Sequence, residues 1–162
     1  MEKTMDAKVQ WHSRMTFTGS ADSGFEVPIG ANPSVGGDED GFRPLELMAI
    51  SLAGCTGMDV ISILRKKRQD VTRFEVNVHT EKANEHPRVF TEAILDYIVQ
   101  GHKIDENAVV RSIELSATRY CPAHGMLSKA FPMRFRYQIY EDQGVGDPAL
   151  VVSGEWQKNS GV

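Results

Sequence analysis

Residues 43–60, RPLELMAISLAGCTGMDV, form the most informative stretch of the chain, because they predict the start of a long apolar helix. Pro44 suits the first helical position, where its missing N–H would have no partner. The basic run at 65–68 suits the negative pole of the helix dipole, so we predict a helix over residues 45–68. A helix that is apolar on most of its circumference belongs in a core or at a subunit interface. Two stripes run along it: Leu45, Met48, Leu52, Cys55 and Asp59, and Leu47, Ile50, Gly54, Met58 and Ile61.

Alternating and helical patterns on both sides of this helix predict an α+β protein. Strands are predicted at 8–17, 25–29, 73–82, 88–101 and 133–141, and helices at 106–118 and 124–131. Tight turns between paired strands, such as the one at 19–24, predict antiparallel sheets packed on the central helix. We expect a flexible N-terminus at 1–7, a single domain over 8–142 and a mobile tail at 143–162. Leu150, Val151 and Val152 could instead form an edge strand.

Composition excludes several classes of protein. The 162 residues carry a formal net charge of −4 from 18 basic and 22 acidic side chains, whereas nucleic-acid binders normally have a basic surplus. The longest apolar run, at 47–53, is too short to span a bilayer, and no signal-peptide pattern precedes it. Two cysteines do not make a secreted disulfide scaffold. The sequence therefore predicts a cytoplasmic protein that binds neither nucleic acid nor membrane.

The two cysteines lie in different surroundings. Cys55, in the middle of the apolar helix, is by itself typical of a buried core cysteine. Cys121 precedes Pro122 in RYCPAHGML, so we expect it beside free backbone N–H groups at a helix start, where a thiolate is favoured. A cysteine that only caps that helix is the alternative, and the sequence spacing does not establish whether the two cysteines pair.

Metal and hydrolase interpretations find less support. A closed zinc site needs four ligands, and the chain offers two cysteines and scattered histidines without a CxxC or HxxxH pattern. The spacing of the acids in GGDEDG at 36–41 does not match a calcium loop. Cys121 and His124 could form a nucleophile and base, although no third orienting group is evident. We expect no metal and no resident cofactor.

Two motifs together resemble the OsmC/Ohr family of organic hydroperoxide reductases, in particular its OsmC-like branch. They are RPLELMAISLAGCTGMDV and, some sixty residues later, YCPAHGMLSKA. The resemblance extends from about Lys8 to Glu141. It implies an OsmC-like fold in an intertwined homodimer with two active sites at the subunit interface, which agrees with the expectation for the over-apolar helix.

The resemblance also implies a reaction. Cys55 would attack a hydroperoxide, release an alcohol and become a sulfenic acid, and Cys121 would condense with it to a disulfide. An external dithiol or thiol protein would then reduce the disulfide. A dry pocket lined by Met48, Leu52 and Met58 would favour organic hydroperoxides. Because dryness raises a thiol pKa, a cation must compensate.

The candidate activating residues differ from the family pattern, which has an arginine in the first hairpin and a glutamate shortly before the cysteine helix. Leu45 occupies the glutamate position, and Glu46 is one residue further, about 100° round the helix. FTGSADSG holds no arginine, which leaves Arg14 and Arg43. The alternative function is a non-enzymatic dimer that binds a small apolar ligand or senses redox state.

Overall fold

The computed structural model describes residues 4–158, which divide into two compact units on either side of the Met48–Ala49 peptide bond. The prediction of a single domain over 8–142 stays a prediction. Residues 1–3 and 159–162, the ends of the predicted flexible N-terminus and tail, lie outside the described residues.

The first unit contains a three-stranded antiparallel sheet. Strands β1 (Ala7–Ser13), β2 (Thr16–Ala21) and β3 (Glu26–Ile29) pair in chain order. The prediction of one strand over 8–17 is wrong, because the chain reverses at Arg14, which takes a positive φ of 47°. The predicted turn at 19–24 accordingly begins too early. The alternation of apolar and polar residues continues through this reversal, because a two-residue turn leaves the pattern intact. The pattern therefore gives no sign that the chain turns.

The second unit is built on a four-stranded sheet in the order β4-β5-β6-β7. Its strands are β4 (Asp70–Lys82), β5 (Phe90–His102), β6 (Met133–Glu141) and β7 (Ala149–Trp156). Strands β5 and β6 are parallel, so the expectation of purely antiparallel sheets is wrong for this pair. The helical segment between them makes the crossover that parallel strands need.

That crossover consists of three consecutive helical pieces. Helix α2 (Glu106–Leu115) is capped at its N-terminus by Asp105, whose side chain accepts a hydrogen bond from the backbone N–H of Asn107. A π-helical turn (Ser116–Tyr120) follows, and helix α3 (Pro122–Leu127) begins directly after Cys121. The predicted helix at 106–118 is too long, because α2 ends at Leu115 and the π-helical turn follows. The predicted helix at 124–131 is displaced, because α3 begins at Pro122, directly after the Cys121 cap, and ends at Leu127.

Strand β7 corrects the prediction for the C-terminal segment. It pairs antiparallel with β6 from Ala149 to Trp156 and forms the edge of the sheet. The expectation of a mobile tail is therefore wrong for this segment, and the edge-strand alternative is confirmed.

Helix α1 (Pro44–Lys66) carries the first cysteine. Leu52, Thr56, Val60 and Leu64 recur every fourth residue and are buried, which gives the helix one core-facing stripe. By length and composition alone, it is long and apolar enough to cross a bilayer. Hydrogen bonds from Thr56 to other elements of the second unit identify it instead as part of the packed fold.

Candidate active site

Both cysteines belong to the second unit, and both are free thiols. Cys55 lies on α1 and is half-buried, whereas Cys121 is buried, with 5% of its surface exposed. Cys121 caps α3: its Sγ accepts a hydrogen bond from the backbone N–H of His124 at 3.3 Å. Pro122 at the first helical position favours this cap, as its sequence position predicts.

The thiol of Cys121 interacts with that of Cys55 and keeps its proton. Burial raises the pKa of Cys121 to about 12, although the N–H of His124 acts in the opposite direction. Interaction with the Cys55 side chain and the negative charge of Asp59 raise this pKa further. The expectation that the helix start would favour a Cys121 thiolate is therefore wrong, because one N–H donor does not offset the loss of water and the neighbouring acid.

A chain of buried hydrogen bonds runs beside the two thiols. The Tyr97 hydroxyl lies 2.7 Å from Thr56 Oγ1, which lies 2.8 Å from Ser116 Oγ. Ser116 Oγ in turn donates to Asp59 Oδ2 at 2.9 Å. Tyr97 and Ser116 are fully buried and Thr56 is 2% exposed. We call these four residues the hydroxyl chain.

The donors in the hydroxyl chain follow from the hydrogen bond at its end. Ser116 Oγ donates to Asp59 Oδ2, and this bond uses the one hydroxyl proton of Ser116. Thr56 must then donate to Ser116, and Tyr97 must donate to Thr56. Every hydroxyl proton in the chain is therefore directed towards Asp59. Burial raises the pKa of Tyr97, and the negative charge of Asp59 acts in the same direction, which keeps this donor protonated.

Sequence reasoning missed Thr56, Tyr97 and Ser116 and gave Asp59 no role beyond a helical stripe. Asp59 follows Cys55 by four residues, so the two lie on one face of α1. An acidic residue one turn after a cysteine, in a largely apolar stretch of helix, is the sequence signal that could have indicated a role for Asp59. Tyr97 and Ser116 carry no local signal, because they meet Thr56 only through tertiary packing.

The candidate activating residues have partners within the first unit. Arg14 pairs with Asp38 at 3.2 Å and donates to the carbonyl of Gly36. Arg43 pairs with Glu46 at 3.0 Å, and Glu46 Oε2 accepts the backbone N–H of Arg43 at 2.9 Å. Their part in activating Cys55 stays a prediction.

The three residues predicted to line a substrate pocket differ in exposure. Leu52 is buried in the core at 1% exposure, whereas Met58 is 75% exposed. Met58 lines a shallow depression with Ile61, Ser62, Arg65 and Lys66. Met48, in the first unit, is 42% exposed. A pocket formed by all three stays a prediction.

His124 contacts Cys121 through its backbone rather than its ring. The ring packs edge-on against Phe135 with centroids 5.3 Å apart, and its Nδ1 is buried without a hydrogen-bond partner. Burial lowers the pKa of His124. Within residues 4–158, no three His, Cys, Asp or Glu side chains are grouped so that they could hold a metal ion.

Comparison with known proteins identifies the family of this chain. Residues 36–136 match the family described as OsmC-like protein. The chain is 38% identical to protein YhfA of Escherichia coli over 135 residues, which cover 83% of this chain and 98% of that one. The chain belongs to the OsmC-like family.

Solved structures share the OsmC-like fold. An OsmC-like protein of Mycoplasma pneumoniae superposes with a TM-score of 0.72 at 19% identity, covering 86% of this chain and 99% of that chain. An organic hydroperoxide resistance protein of Elizabethkingia anophelis superposes with a TM-score of 0.65 at 14% identity, covering 88% and 99%. The predicted resemblance and the α+β OsmC-like fold are therefore confirmed, and the fold's structural neighbours include proteins named for hydroperoxide resistance.

Proposed function

We propose that this OsmC-like protein is a thiol-dependent peroxidase that reduces organic hydroperoxides to alcohols. The observation that supports the proposal most directly is the interaction between the Cys55 and Cys121 thiols, which lie close enough in one chain for Cys55 to raise the pKa of Cys121. The membership of hydroperoxide-resistance proteins in the same fold group supports it as well. The non-enzymatic alternative expected the sulfurs to lie too far apart to react, and this interaction argues against it.

The two cysteines have different tasks in this reaction. The Cys55 thiolate attacks the distal oxygen of the hydroperoxide, the O–O bond breaks, and the leaving alkoxide takes up a proton to become the alcohol. Cys55 is then a sulfenic acid. The buried Cys121 retains its proton until its sulfur attacks Cys55, and a dithiol or thiol-protein reductant later restores both thiols. No resident cofactor is required.

A homodimer is part of the proposal, because several apolar side chains on α1 and β1 stay exposed in the single chain. Ile50 is 50% exposed, Met58 75% and Trp11 60%. A second copy of the chain would cover them and complete an apolar pocket for the hydroperoxide with Met48, Leu52 and Met58. We propose that the dimer acts in the cytoplasm without nucleic-acid or membrane partners.

Mutation of Met58 tests the dimer by sedimentation velocity. Met58→Glu is expected to shift the protein towards the monomer, because a carboxylate would be buried without a partner at the interface. Val145→Glu is the matched control, since Val145 is 90% exposed in a loop. If Met58→Glu leaves the oligomer unchanged, Met58 is not part of an interface.

Thiol counting after reaction with tert-butyl hydroperoxide tests the activity. One equivalent should consume both thiols of each chain and yield a disulfide, whereas Cys121→Ser should stop at the Cys55 sulfenic acid. Full turnover by Cys55→Ser would overturn the proposal. Arg43→Ala and Arg14→Ala, measured in the same assay, show which arginine accelerates the attack by Cys55.

A further inference from the structure

A route of hydrogen bonds connects the helix of one cysteine to the backbone of the other. Thr56, next to Cys55 on α1, donates to Ser116 Oγ at 2.8 Å. The carbonyl of Ser116 accepts the backbone N–H of Cys121 at 2.9 Å. Ser116 is therefore held through its side chain by α1 and holds Cys121 through its main chain.

The hydrogen bond between Cys121 and Ser116 spans five residues and closes the π-helical turn. In a regular α-helix the N–H of Cys121 would bond to the carbonyl of residue 117 instead. Such single wide turns are uncommon and frequently occur at functional sites. The turn ends at Cys121, so its width sets where that cysteine lies relative to Cys55.

Both ends of the hydroxyl chain are anchored. Tyr97 belongs to the central strand β5, and Asp59 belongs to α1 one turn after Cys55. Because Tyr97, Thr56 and Ser116 are buried, water does not compete for their hydrogen bonds, and the bonds are stronger than they would be at a surface. Ser116 is thus fixed between two rigid elements.

We propose that Ser116, held by Thr56 and Asp59, is a positioning residue for disulfide formation, the second step of the proposed peroxidase reaction. It places Cys121 Sγ for attack on the Cys55 sulfenic acid. The S–S bond forms, the S–O bond of Cys55 breaks, and the departing hydroxide takes the thiol proton of Cys121 to leave as water. The inference rests on the proposed function, since it concerns the fate of its intermediate.

Substitutions at two positions of the hydroxyl chain test the proposal. Ser116→Ala removes the linking hydroxyl, and Thr56→Val removes its donor at nearly constant volume. Ser112→Ala is the matched control, because the Ser112 hydroxyl is equally buried but donates only to the carbonyl of Ala108, at 2.6 Å. Thr56→Ser keeps the hydroxyl and serves as the rescue variant.

Each reduced variant is mixed with one equivalent of tert-butyl hydroperoxide, quenched with dimedone at successive times and weighed by intact mass spectrometry. Sulfenic acid formation at Cys55 should stay within about twofold of the parent in every variant. Disulfide formation should slow by about tenfold or more in Ser116→Ala and Thr56→Val, with the dimedone adduct accumulating, because small misplacements of reacting atoms are costly. Ser112→Ala and Thr56→Ser should form the disulfide within about twofold of the parent rate.

The outcomes separate this inference from the proposed function. If Ser116→Ala and Thr56→Val form the disulfide at the parent rate, the positioning role is overturned while the peroxidase proposal stands. A Thr56→Ser variant as slow as Thr56→Val also overturns it, because packing rather than the hydroxyl would then matter; this pair decides the question if Ser116→Ala does not fold. If the parent forms no sulfenic acid at Cys55, both proposals fall.

The pH profile supplies a readout that a purely structural role would not move. The groups that face Cys121 are Cys55 and Asp59 from α1, Tyr97 from β5 and the N–H of His124 from α3. Asp59→Asn keeps an oxygen to accept from Ser116 but removes the charge. The rate of disulfide formation should then rise at a lower pH, because the Cys121 thiol ionises more easily without the neighbouring charge. An unshifted profile would overturn the action of the Asp59 charge on Cys121.

Discussion

The strongest test of the hydroxyl chain as a structural unit is a double-mutant cycle at Thr56 and Tyr97. Thr56→Val leaves the buried Tyr97 hydroxyl without an acceptor, which costs about 1–3 kcal/mol, and removes the bond to Ser116, which is worth about 0.5–1.5 kcal/mol. We therefore expect the free energy of unfolding to fall by about 2–4 kcal/mol. Tyr97→Phe leaves no orphaned donor, because Thr56 Oγ1 still donates to Ser116, and should cost only about 0.5–1.5 kcal/mol.

The double variant should be more stable than the sum of the single effects implies. Without the Tyr97 hydroxyl, Thr56→Val no longer orphans a donor, so we expect a coupling of about 1–2 kcal/mol. Urea unfolding followed by circular dichroism measures all four proteins, at one protein concentration because an oligomer's stability depends on it. Additive effects within about 0.5 kcal/mol would refute the donor order Tyr97 to Thr56 to Ser116.

Four further predictions concern Cys121 and two glycines. Burial raises the pKa of Cys121 from 9.0 to about 12, so the unfolded chain loses this proton at a lower pH than the folded chain does. The free energy of unfolding should therefore fall between about pH 9 and 12. In Cys121→Ser it should fall less steeply. Iodoacetamide at pH 8 should label Cys121 at least about tenfold more slowly in the folded protein than in urea, because only the thiolate reacts, and equal rates would contradict its protection. Gly101→Ala should destabilise the fold by about 1–3 kcal/mol, since a Cβ would overlap the Asp70 carbonyl. Gly57→Ala should instead stabilise the fold by about 0.5–1 kcal/mol in the same urea assay, because alanine favours a helix interior and its Cβ would make an ordinary contact with Val76 at 3.5 Å. An equal loss of stability in both variants would argue against packing at Gly101 as the cause.

The long apolar helix was predictable because its signals are local. Pro44 marks its first residue, and the apolar positions repeat at helical spacing up to the basic run at 65–68. Asp105 as a helix cap and Cys121 before Pro122 were predictable for the same reason. The reversal at Arg14 was not, because a positive φ at an arginine has no distinctive sequence pattern.

The parallel pairing of β5 with β6 could not be predicted from local sequence patterns. Both strands alternate in the same way whether their partner runs parallel or antiparallel, and only the path of α2 and α3 between them decides the direction. Strand β7 is a different case, since its apolar residues Leu150, Val151 and Val152 gave a local signal for an edge strand, and the structure pairs it with β6.

The fold class, the apolar helix and the two candidate redox cysteines could be predicted without a structure, because residue type and periodicity are properties of the chain. Three features come from the tertiary structure alone: the two thiols interact, burial keeps the Cys121 thiol protonated, and Ser116 links Cys121 to α1. The physical reason is burial. The loss of water raises a thiol pKa and makes each hydroxyl depend on a partner, and those partners lie far apart in the sequence.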